Sequence, residues 1–530
     1  MLRTCVQPGG EFKVGVHKPC YQVRNLRKKD HVLTLGHTDK KKSHDNRKNF
    51  PQNDVAEENG RIIYEIANAF SFRGATFIDS GWAAARARDP LSICISRPPE
   101  CSLRDALHGV VDSATVQKII NNLPKPLLYD LAANSTDPDE LILLARSCST
   151  IEEDEYGNPT GLAYTDKNGT LRADIDDFEL FETIANNPFL PDTYKEVMVL
   201  RPGVQGGSEI VGDWQEGETH VFEYLRRNSY IPWGHFAANM AHDAVRYATS
   251  DLTRKDMQGL RYLYYQRMVV TLAGQFGIDC PVQRRRLTSD ELENLRLQVL
   301  DAIQSSDEHP ATLWGWNFGY DFSGSGYRLH ASHQMIHQQF AMVPDSVEML
   351  DGSRAMGYSC GDQVAEVVEQ YSQEHNSDFF TDFIQCIRTN SRSDQCSGNS
   401  SLIIWEDENV MLFAPKAQVS QWELQLMVLA NDNAGAVGNI LEADTAVRNS
   451  LDTGILLAQR IYAGLGAKMV SSIEYSKRLG INNRQRLVYA FLPKLPWSMG
   501  AFSEAQQRYI SGHFAEDFAY ACRKQLPDYL

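Results

Sequence analysis

Three histidines within eight residues mark the segment of this sequence with the richest chemistry. His330, His333 and His337 lie between residues 324 and 344, beside several glutamines, and the segment closes in the strand-like run FAMVP. If the strand includes residue 337, its alternation puts His337 and Gln339 on the same face. The imidazole and the amide can then act on one ligand.

The residues near His337 favour chemistry on a phosphate. The backbone carbonyl of Met335 is well placed to accept the Nδ1 proton of this histidine, which leaves its Nε2 free as a nucleophile. Gly324 and Gly326 would let backbone N–H groups approach an anion. Spacing alone leaves two other interpretations open: histidines that only satisfy hydrogen bonds on a half-exposed strand, and a metal site that uses the first two histidines.

A second pattern with catalytic meaning is GYSCG at 357–361, which fits GxSxG. A nucleophile elbow also needs a buried strand before the serine. The preceding run VEMLDGSRAM is interrupted by Asp351, Gly352 and Arg354. The sequence therefore gives little support to a hydrolase with Ser359 as its nucleophile.

Composition narrows the class of protein. The 530 residues carry a net charge of −16, and residues 1–50 hold 12 basic against 4 acidic side chains, so the remainder carries −24. A body this acidic repels a phosphate backbone, which argues against nucleic acid as a partner. The ten cysteines show no CxxC spacing, and we find neither a membrane-length apolar run nor a signal segment. We expect a soluble, cytoplasmic protein.

The elements that must position the candidate residues fall into five segments. We predict a basic, poorly ordered extension over 1–56, a small and mostly helical module over 57–155, a first half with the candidate strand over 156–344, an inserted helix and polar linker over 345–400, and a second half over 401–530. Asp137-Pro138 predicts a helix start, and Asn168-Gly169 predicts a tight hairpin.

Two stretches of the chain share one plan. Each has an apolar strand, a polar loop and a long amphipathic helix with a glycine at its end, over 235–277 and over 410–466. This weak internal repeat suggests two related α+β halves.

The string ASHQMIHQQFAMVP resembles the active-site strand of a known family. That family is the galactose-1-phosphate uridylyltransferase and diadenosine tetraphosphate phosphorylase branch of the histidine-triad (HIT-like) superfamily, whose motif is Ser, two residues, then HxHxQ. On this match Ser332 takes the place of the serine, His337 that of the second, nucleophilic histidine, and Gln339 that of the glutamine. Met335 replaces the first histidine.

Other segments resemble the family in the expected order, over roughly 175–525. GSGYR resembles the phosphorylase-type NxGxR, with Gly326 and Arg328 matching and Gly324 where Asn is expected. SYIPWGHFAANMAHDAV resembles a nucleotide-side segment that ends in a histidine, here His242. The segment 487–519 resembles the uridylyltransferase C-terminus, but Phe514 stands where the family has a glutamate, so hexose recognition does not carry over.

The resemblance implies an α+β, HIT-like fold with two related half-barrel antiparallel sheets, preceded by the helical module. It implies catalytic roles for His337, Gln339 and Ser332. Contacts to nucleotide or phosphate are assigned to Gly324, Gly326, Arg328, His333 and His242. The family's zinc site lacks its CxxC pair and its first motif histidine here, so we expect no metal there and no certain cofactor. A homodimer is expected by analogy.

The implied activity is nucleotidyl transfer from a nucleotide donor to a phosphate-bearing acceptor through a nucleotidyl-histidine intermediate. Gln339 can hydrogen-bond a phosphate oxygen but cannot deliver a proton at neutral pH, which favours a transferase or phosphorylase over a hydrolase. A phosphorylase of dinucleoside polyphosphates or nucleotide sugars differs only in its acceptor. The alternative of another class is a degenerate nucleotide-binding protein, consistent with the loss of the first motif histidine.

Overall fold

The computed structural model describes most of the chain. The described residues are 2–24, 32–49, 53–96, 99–108, 111–167, 170–185, 187, 189–198, 249–280, 287–319, 337–429, 431–432, 435–495 and 500–527. Within these ranges the protein is a mixture of helices and mainly antiparallel sheets.

The helices are α1 Ser80–Ala87, α2 Leu103–Leu107, α3 Ser113–Asn121, α4 Lys125–Asn134, α5 Pro138–Cys148, α6 Phe178–Ala185, α7 Asp192–Met198, α8 Arg254–Gln275, α9 Ser289–Gln304, α10 Cys360–His375, α11 Phe379–Arg388, α12 Thr445–Gly464, α13 Ala501–Gln506 and α14 Ala515–Arg523. Among these helices, none combines the length and the apolar character that crossing a bilayer requires.

The strands are β1 Val6–Gln7, β2 Glu11–Phe12, β3 Gly15–His17, β4 Tyr21–Val23, β5 Thr34–His37, β6 Ser43–Asp45, β7 Val55–Glu57, β8 Ile63–Ala67, β9 Ala75–Asp79, β10 Ile151–Glu153, β11 Pro159–Leu162, β12 Tyr164–Lys167, β13 Thr170–Ala173, β14 Ala311–Gly319, β15 His337–Val343, β16 Ser346–Glu348, β17 Arg354–Met356, β18 Ile403–Glu406, β19 Val410–Phe413, β20 Leu424–Val428, β21 Asn431–Asp432, β22 Gly435–Ala436, β23 Met469–Tyr475, β24 Val488–Pro493 and β25 Arg508–Ser511.

The largest sheet has seven strands in the order β15-β14-β23-β24-β20-β19-β18, and every neighbouring pair is antiparallel. One face packs on helices α8 and α12 through residues such as Trp314 and Tyr489. The other face packs on α10 and α11 through Phe413 and Val488. Described strands from both predicted halves thus lie in one sheet, because hydrogen bonds between β14 and β23 connect them. The mixture of helices and antiparallel strands agrees with the predicted fold class, whereas the arrangement as two related half-barrel sheets is not confirmed.

A second sheet joins distant parts of the chain. Its order is β25-β9-β8-β3, and β25 pairs parallel with β9, with Arg508 opposite Ala75 and Ser511 opposite Ile78. The C-terminal segment therefore completes a sheet whose other strands lie within the first 80 residues.

The beginning of the chain is packed rather than solvated. Cys5 and Val6 are completely buried in the cluster that contains helix α11. The Thr4 hydroxyl donates to the carbonyl of Ala69 at 2.8 Å. The predicted poorly ordered extension therefore does not describe these residues, because apolar side chains at 2, 5 and 6 find a core supplied by a distant helix. Strands β3 to β6, by contrast, consist of exposed residues.

Two local predictions in the N-terminal part are confirmed. Helix α5 begins at Pro138, and the Asp137 carboxylate accepts hydrogen bonds from the backbone N–H groups of residues 139 and 140. Strands β12 and β13 pair antiparallel, with Lys167 opposite Thr170, as the predicted hairpin requires. The five-segment division itself stays a prediction.

The segment 345–400 differs from its prediction of one helix and a linker, and it also holds the paired strands β16 and β17. It holds a second helix, α11, beside the predicted one. The polar stretch after α11, which we interpreted as a linker or mobile loop, is anchored, because the buried Arg392 donates to Asp517 at 2.7 Å and Lys416 donates to Asn390 at 2.9 Å. A buried charge needs a partner, and both partners come from elements far away in the sequence.

Candidate functional site

The candidate strand is β15, and the backbone register fixes where its motif residues lie. In the pairing of β15 with β14, His337 is opposite Asn317 and Gln339 is opposite Gly315. Directly paired residues of antiparallel strands share a face of the sheet. The predicted strand containing His337 and Gln339 is thus present, and within the described residues it lies at the edge of the seven-stranded sheet.

The same register extends a polar row across the sheet. Asn317 is also paired with Ser471 on β23, so the positions of His337, Asn317 and Ser471 lie side by side on three strands. Asn317 and Ser471 are half-buried. The position opposite Gln339 has no side chain, since it is Gly315, where a Cβ would lie 3.1 Å from the backbone oxygen of Ser472. This face therefore has polar residues at positions 317 and 471, and at position 315 the neighbouring backbone leaves little room for a side chain.

The opposite face of the same strands is an aromatic core. The Trp314 ring stacks on Tyr264 of helix α8 with centroids 4.6 Å apart, and it contacts Trp316 at 4.4 Å. Phe340 on β15 packs against Tyr264 at 4.8 Å. Side chains of this size contribute much of the stability of a core. The packing holds β14 and β15, two of the three strands of the polar row, in a fixed position.

A carboxyl group is buried beneath the same part of the sheet. Glu474 on β23 accepts hydrogen bonds from the hydroxyls of Tyr489 at 2.6 Å and Tyr264 at 3.1 Å. Burial raises its pKa from 4.5 to about 7, although the hydrogen bonds from Tyr489, Tyr264 and Thr312 act in the opposite direction. The group belongs to the aromatic core and shares a face with Trp316, not with the position of His337.

The GxSxG serine has a structural role. Ser359 is the N-cap of helix α10, where its hydroxyl and Asp362 form a reciprocal capping box. The Ser359 hydroxyl donates to the Asp362 carboxylate at 2.9 Å, and Ser359 is buried. Gly361 packs against the backbone of Ser476, where a Cβ would clash. The pattern reflects a capped and closely packed helix start.

The other predicted site residues lie outside the described residues. These are Ser332, His333, Gly324, Gly326, Arg328 and His242. Their proposed contacts, and the interpretation of residue 332 as a motif serine, stay predictions. No group of three His, Cys, Asp or Glu side chains suited to a metal ion occurs in the ranges that the structure describes, and His330 and His333 lie outside those ranges.

Sequence reasoning missed the partners of the candidate strand. Asn317 and Ser471 were not among the predicted site residues, although both are paired in the polar row. A usable signal exists in β14, where Trp314 and Trp316 alternate with smaller or polar residues. That alternation predicts one buried face and one open face.

The chain shows only weak similarity to known proteins. No family profile and no curated protein matches the chain. A galT-like protein from Arabidopsis thaliana has 13% identity over 53% of this chain and 73% of its own, with a TM-score of 0.33. An ADP-glucose phosphorylase from Arabidopsis thaliana, with ADP-glucose bound, has 13% identity over 54% and 71%, with a TM-score of 0.34. A uridylyltransferase mutant has 10% identity over 52% and 72%, with a TM-score of 0.32. TM-scores this low do not establish a common fold, so we derive neither fold nor activity from them.

Proposed function

We propose that this protein is a nucleotidyltransferase of the HIT-like branch that its motif resembles. It moves a nucleoside monophosphate from a nucleotide donor, such as a nucleotide sugar, to a phosphate-bearing acceptor. The observation that supports this most directly is the register of β15, because His337 and Gln339 are paired with the half-exposed positions Asn317 and Gly315 and not with the aromatic core. We also propose that the seven-stranded sheet corresponds to the half-barrel of the family.

The reaction proceeds in two displacements at one phosphorus. Nε2 of His337 attacks the α-phosphorus of the donor, the bond to the bridging oxygen breaks, and the leaving pyrophosphate or sugar phosphate takes the electron pair. An oxygen of the acceptor phosphate then attacks the same phosphorus, the phosphorus–nitrogen bond breaks, and the imidazole is restored. Neither leaving group needs a proton at neutral pH.

The remaining residues bind and orient the phosphates. The Gln339 amide donates to a non-bridging oxygen of the phosphate. Ser332 takes the catalytic role of the motif serine. Arg328 clamps a phosphate with its planar fork, while Gly324 and Gly326 let the backbone approach. His333 and His242 contact the nucleotide.

Asn317 adds a positioning role that the motif alone does not contain. It is the register partner of His337 on β14. A side-chain amide can donate to a phosphate oxygen or to an imidazole nitrogen. We propose that Asn317 orients the phosphate or the imidazole during both displacements.

Two alternatives rest on specific residues. The NxGxR-like string ending in Arg328 favours a phosphorylase of dinucleoside polyphosphates or nucleotide sugars, in which inorganic phosphate is the acceptor. Met335 in place of the first motif histidine favours a degenerate nucleotide-binding protein.

The test is the intact mass of the protein after brief incubation with UDP-glucose, ADP-glucose, GDP-mannose or diadenosine tetraphosphate. An added nucleoside monophosphate on the wild type, absent in His337→Ala and present in the exposed control His37→Ala, supports the intermediate and names the base. Inorganic phosphate that discharges the adduct as fast as a sugar phosphate favours the phosphorylase. Nucleotide binding without any adduct overturns the transferase in favour of the binding protein.

A further inference from the structure

A cavity of about 480 Å³ lies between helix α1 and the C-terminal part of the chain. Its wall includes Trp82, Arg86, Cys94, Trp422, Ile510 and His513, which come from distant parts of the sequence. Sites for small molecules have volumes of roughly 300–1,000 Å³. The cavity contains none of the residues assigned to nucleotidyl transfer, so what it binds is a separate question.

The apolar part of the wall suits a flat ring. Trp82 and Ile510 keep 55% and 54% of their surfaces exposed, so both can contact a ligand in the cavity. Trp422 is buried, and its ring stacks on Phe518 at 6.3 Å with an interplanar angle of 16°. The cavity therefore has one fixed indole and one exposed indole, and indoles favour stacking with planar groups.

The positively charged side chain of Arg86 lies at the edge of this apolar surface. The Arg86 guanidinium donates to the carbonyl oxygen of Ser92 at 2.6 Å. This acceptor is a neutral carbonyl and not a carboxylate, and a guanidinium can donate five hydrogen bonds. Its remaining N–H groups suit an anionic group of a ligand.

The imidazole of His513 forms another part of the wall. It is buried, its ring packs on Phe518 at 5.4 Å, and its Nε2 has no hydrogen-bond partner in the described part of the protein. Burial and the nearby Arg86 lower the pKa of His513 to about 3, so the ring is neutral. Buried polar atoms without a partner are rare in folded proteins and call for an explanation such as a bound molecule.

We propose that this cavity binds a small planar aromatic anion. The ring packs against Trp82 and Trp422, the acidic group binds Arg86, and a polar group on the ring supplies the partner that His513 lacks. A free aromatic carboxylate and a nucleoside monophosphate both have this chemistry, and the test distinguishes the two sources. The proposal does not depend on the role of His337.

Cys94 allows a local test, because it lines the cavity and is exposed. The rate at which iodoacetamide alkylates Cys94 is measured by peptide mass spectrometry in the full-length protein. The probes are indole-3-acetate, UMP and GMP, with cyclohexylacetate as an anion that lacks a planar ring. Cys20 and Cys396 are exposed and do not line the cavity, so they serve as internal controls.

We expect at least one planar anion, at a concentration about ten times its Kd, to slow alkylation of Cys94 by about tenfold while Cys20 and Cys396 are unaffected. Protection by indole-3-acetate alone identifies a free aromatic acid, and protection by UMP or GMP identifies a nucleotide. Arg86→Gln should raise the concentration needed for protection by about tenfold, and the matched variant Arg88→Gln, also exposed, should not. The proposal is overturned if no planar anion protects Cys94, if cyclohexylacetate protects equally well, or if protection is the same in both variants.

Discussion

Tyr489 donates a 2.6 Å hydrogen bond to Oε2 of Glu474, and the two residues are direct register partners on the adjacent strands β23 and β24. Both are completely buried. Tyr264 of helix α8 donates to the other carboxylate oxygen. Since burial raises the pKa of Glu474 to about 7, this carboxyl changes its charge near neutral pH inside the aromatic core.

Glu474 should make the protein less stable as the pH rises from 4.5 to 7. The unfolded chain loses this proton near 4.5, whereas the folded protein retains it up to about 7, so protons are released on unfolding across that window. The loss of unfolding free energy from this group should be about 3 kcal/mol. Urea unfolding of the wild type and Glu474→Gln, at about pH 4.5 and about pH 8, measures it. Equal pH dependence of the two proteins would contradict the prediction.

His513 should have the opposite effect on stability. The pKa of the buried ring falls from 6.5 to about 3, so the unfolded state binds a proton that the folded state does not. This contribution is complete above pH 6.5 and is lost as the pH falls toward 3. In thermal melts, the melting temperature of His513→Gln should therefore fall less than that of the wild type as the pH is lowered from 6.5 toward 3. The exposed His37→Gln should leave the acid dependence unchanged.

Removing only one partner of the ion pair between Arg261 and Asp452 should strongly destabilise the protein. Arg261 on α8 donates two hydrogen bonds to Asp452 on α12, at 2.8 and 2.7 Å, and both side chains are buried. Arg261→Leu should lower the free energy of unfolding by about 3–5 kcal/mol, because it leaves a buried carboxylate without its partner. Chemical denaturation measures the change.

Two comparisons make this prediction specific. The double variant Arg261→Leu with Asp452→Leu should be more stable than Arg261→Leu alone, since it leaves neither charge of this pair without a partner. Arg388→Leu breaks an ion pair with Glu406 whose side chains are 50% and 37% exposed, and it should cost only about 0–1 kcal/mol. If the double variant were less stable than Arg261→Leu, the burial argument would be wrong.

Gln339→His should redirect the proposed reaction toward water. An imidazole at this position can deliver or accept a proton at neutral pH, which an amide cannot do. We expect the nucleotidyl adduct on the variant to decay in buffer about 10²-fold faster, with free nucleoside monophosphate as the product. Single-turnover analysis of products by chromatography measures the partition. Gln338→His, one residue away and on the other face of the strand, is the matched control and should leave the partition unchanged.

Local patterns in the sequence predicted local structure well. The paired strands on either side of 168–169, the helix start at Pro138 and helix α10 are all present. Each depends on residues that are neighbours in the chain, such as a cap, a turn pair or an alternating run. The same holds for the strand that carries His337.

Features that depend on distant residues could not be predicted in this way. The polar stretch after α11 was interpreted as a linker because Ser, Asn and Gly are typical of loops, yet Asp517 and Lys416 anchor it. The polar row needs the register of three strands, and the sequence does not contain that register. Apolar residues at positions 5 and 6 are too few to predict a core without the helix that covers them.

The parallel pairing of β25 with β9 also affects the order in which the chain acquires its structure during synthesis. Strand β9 is translated before the strand that covers its edge, and the intervening chain from 80 to 507 separates the two. Until then the edge of β9 has unpaired backbone groups in the nascent protein, a feature that invites association with other chains. Completion of this sheet therefore has to wait until residues 508–511 have been translated.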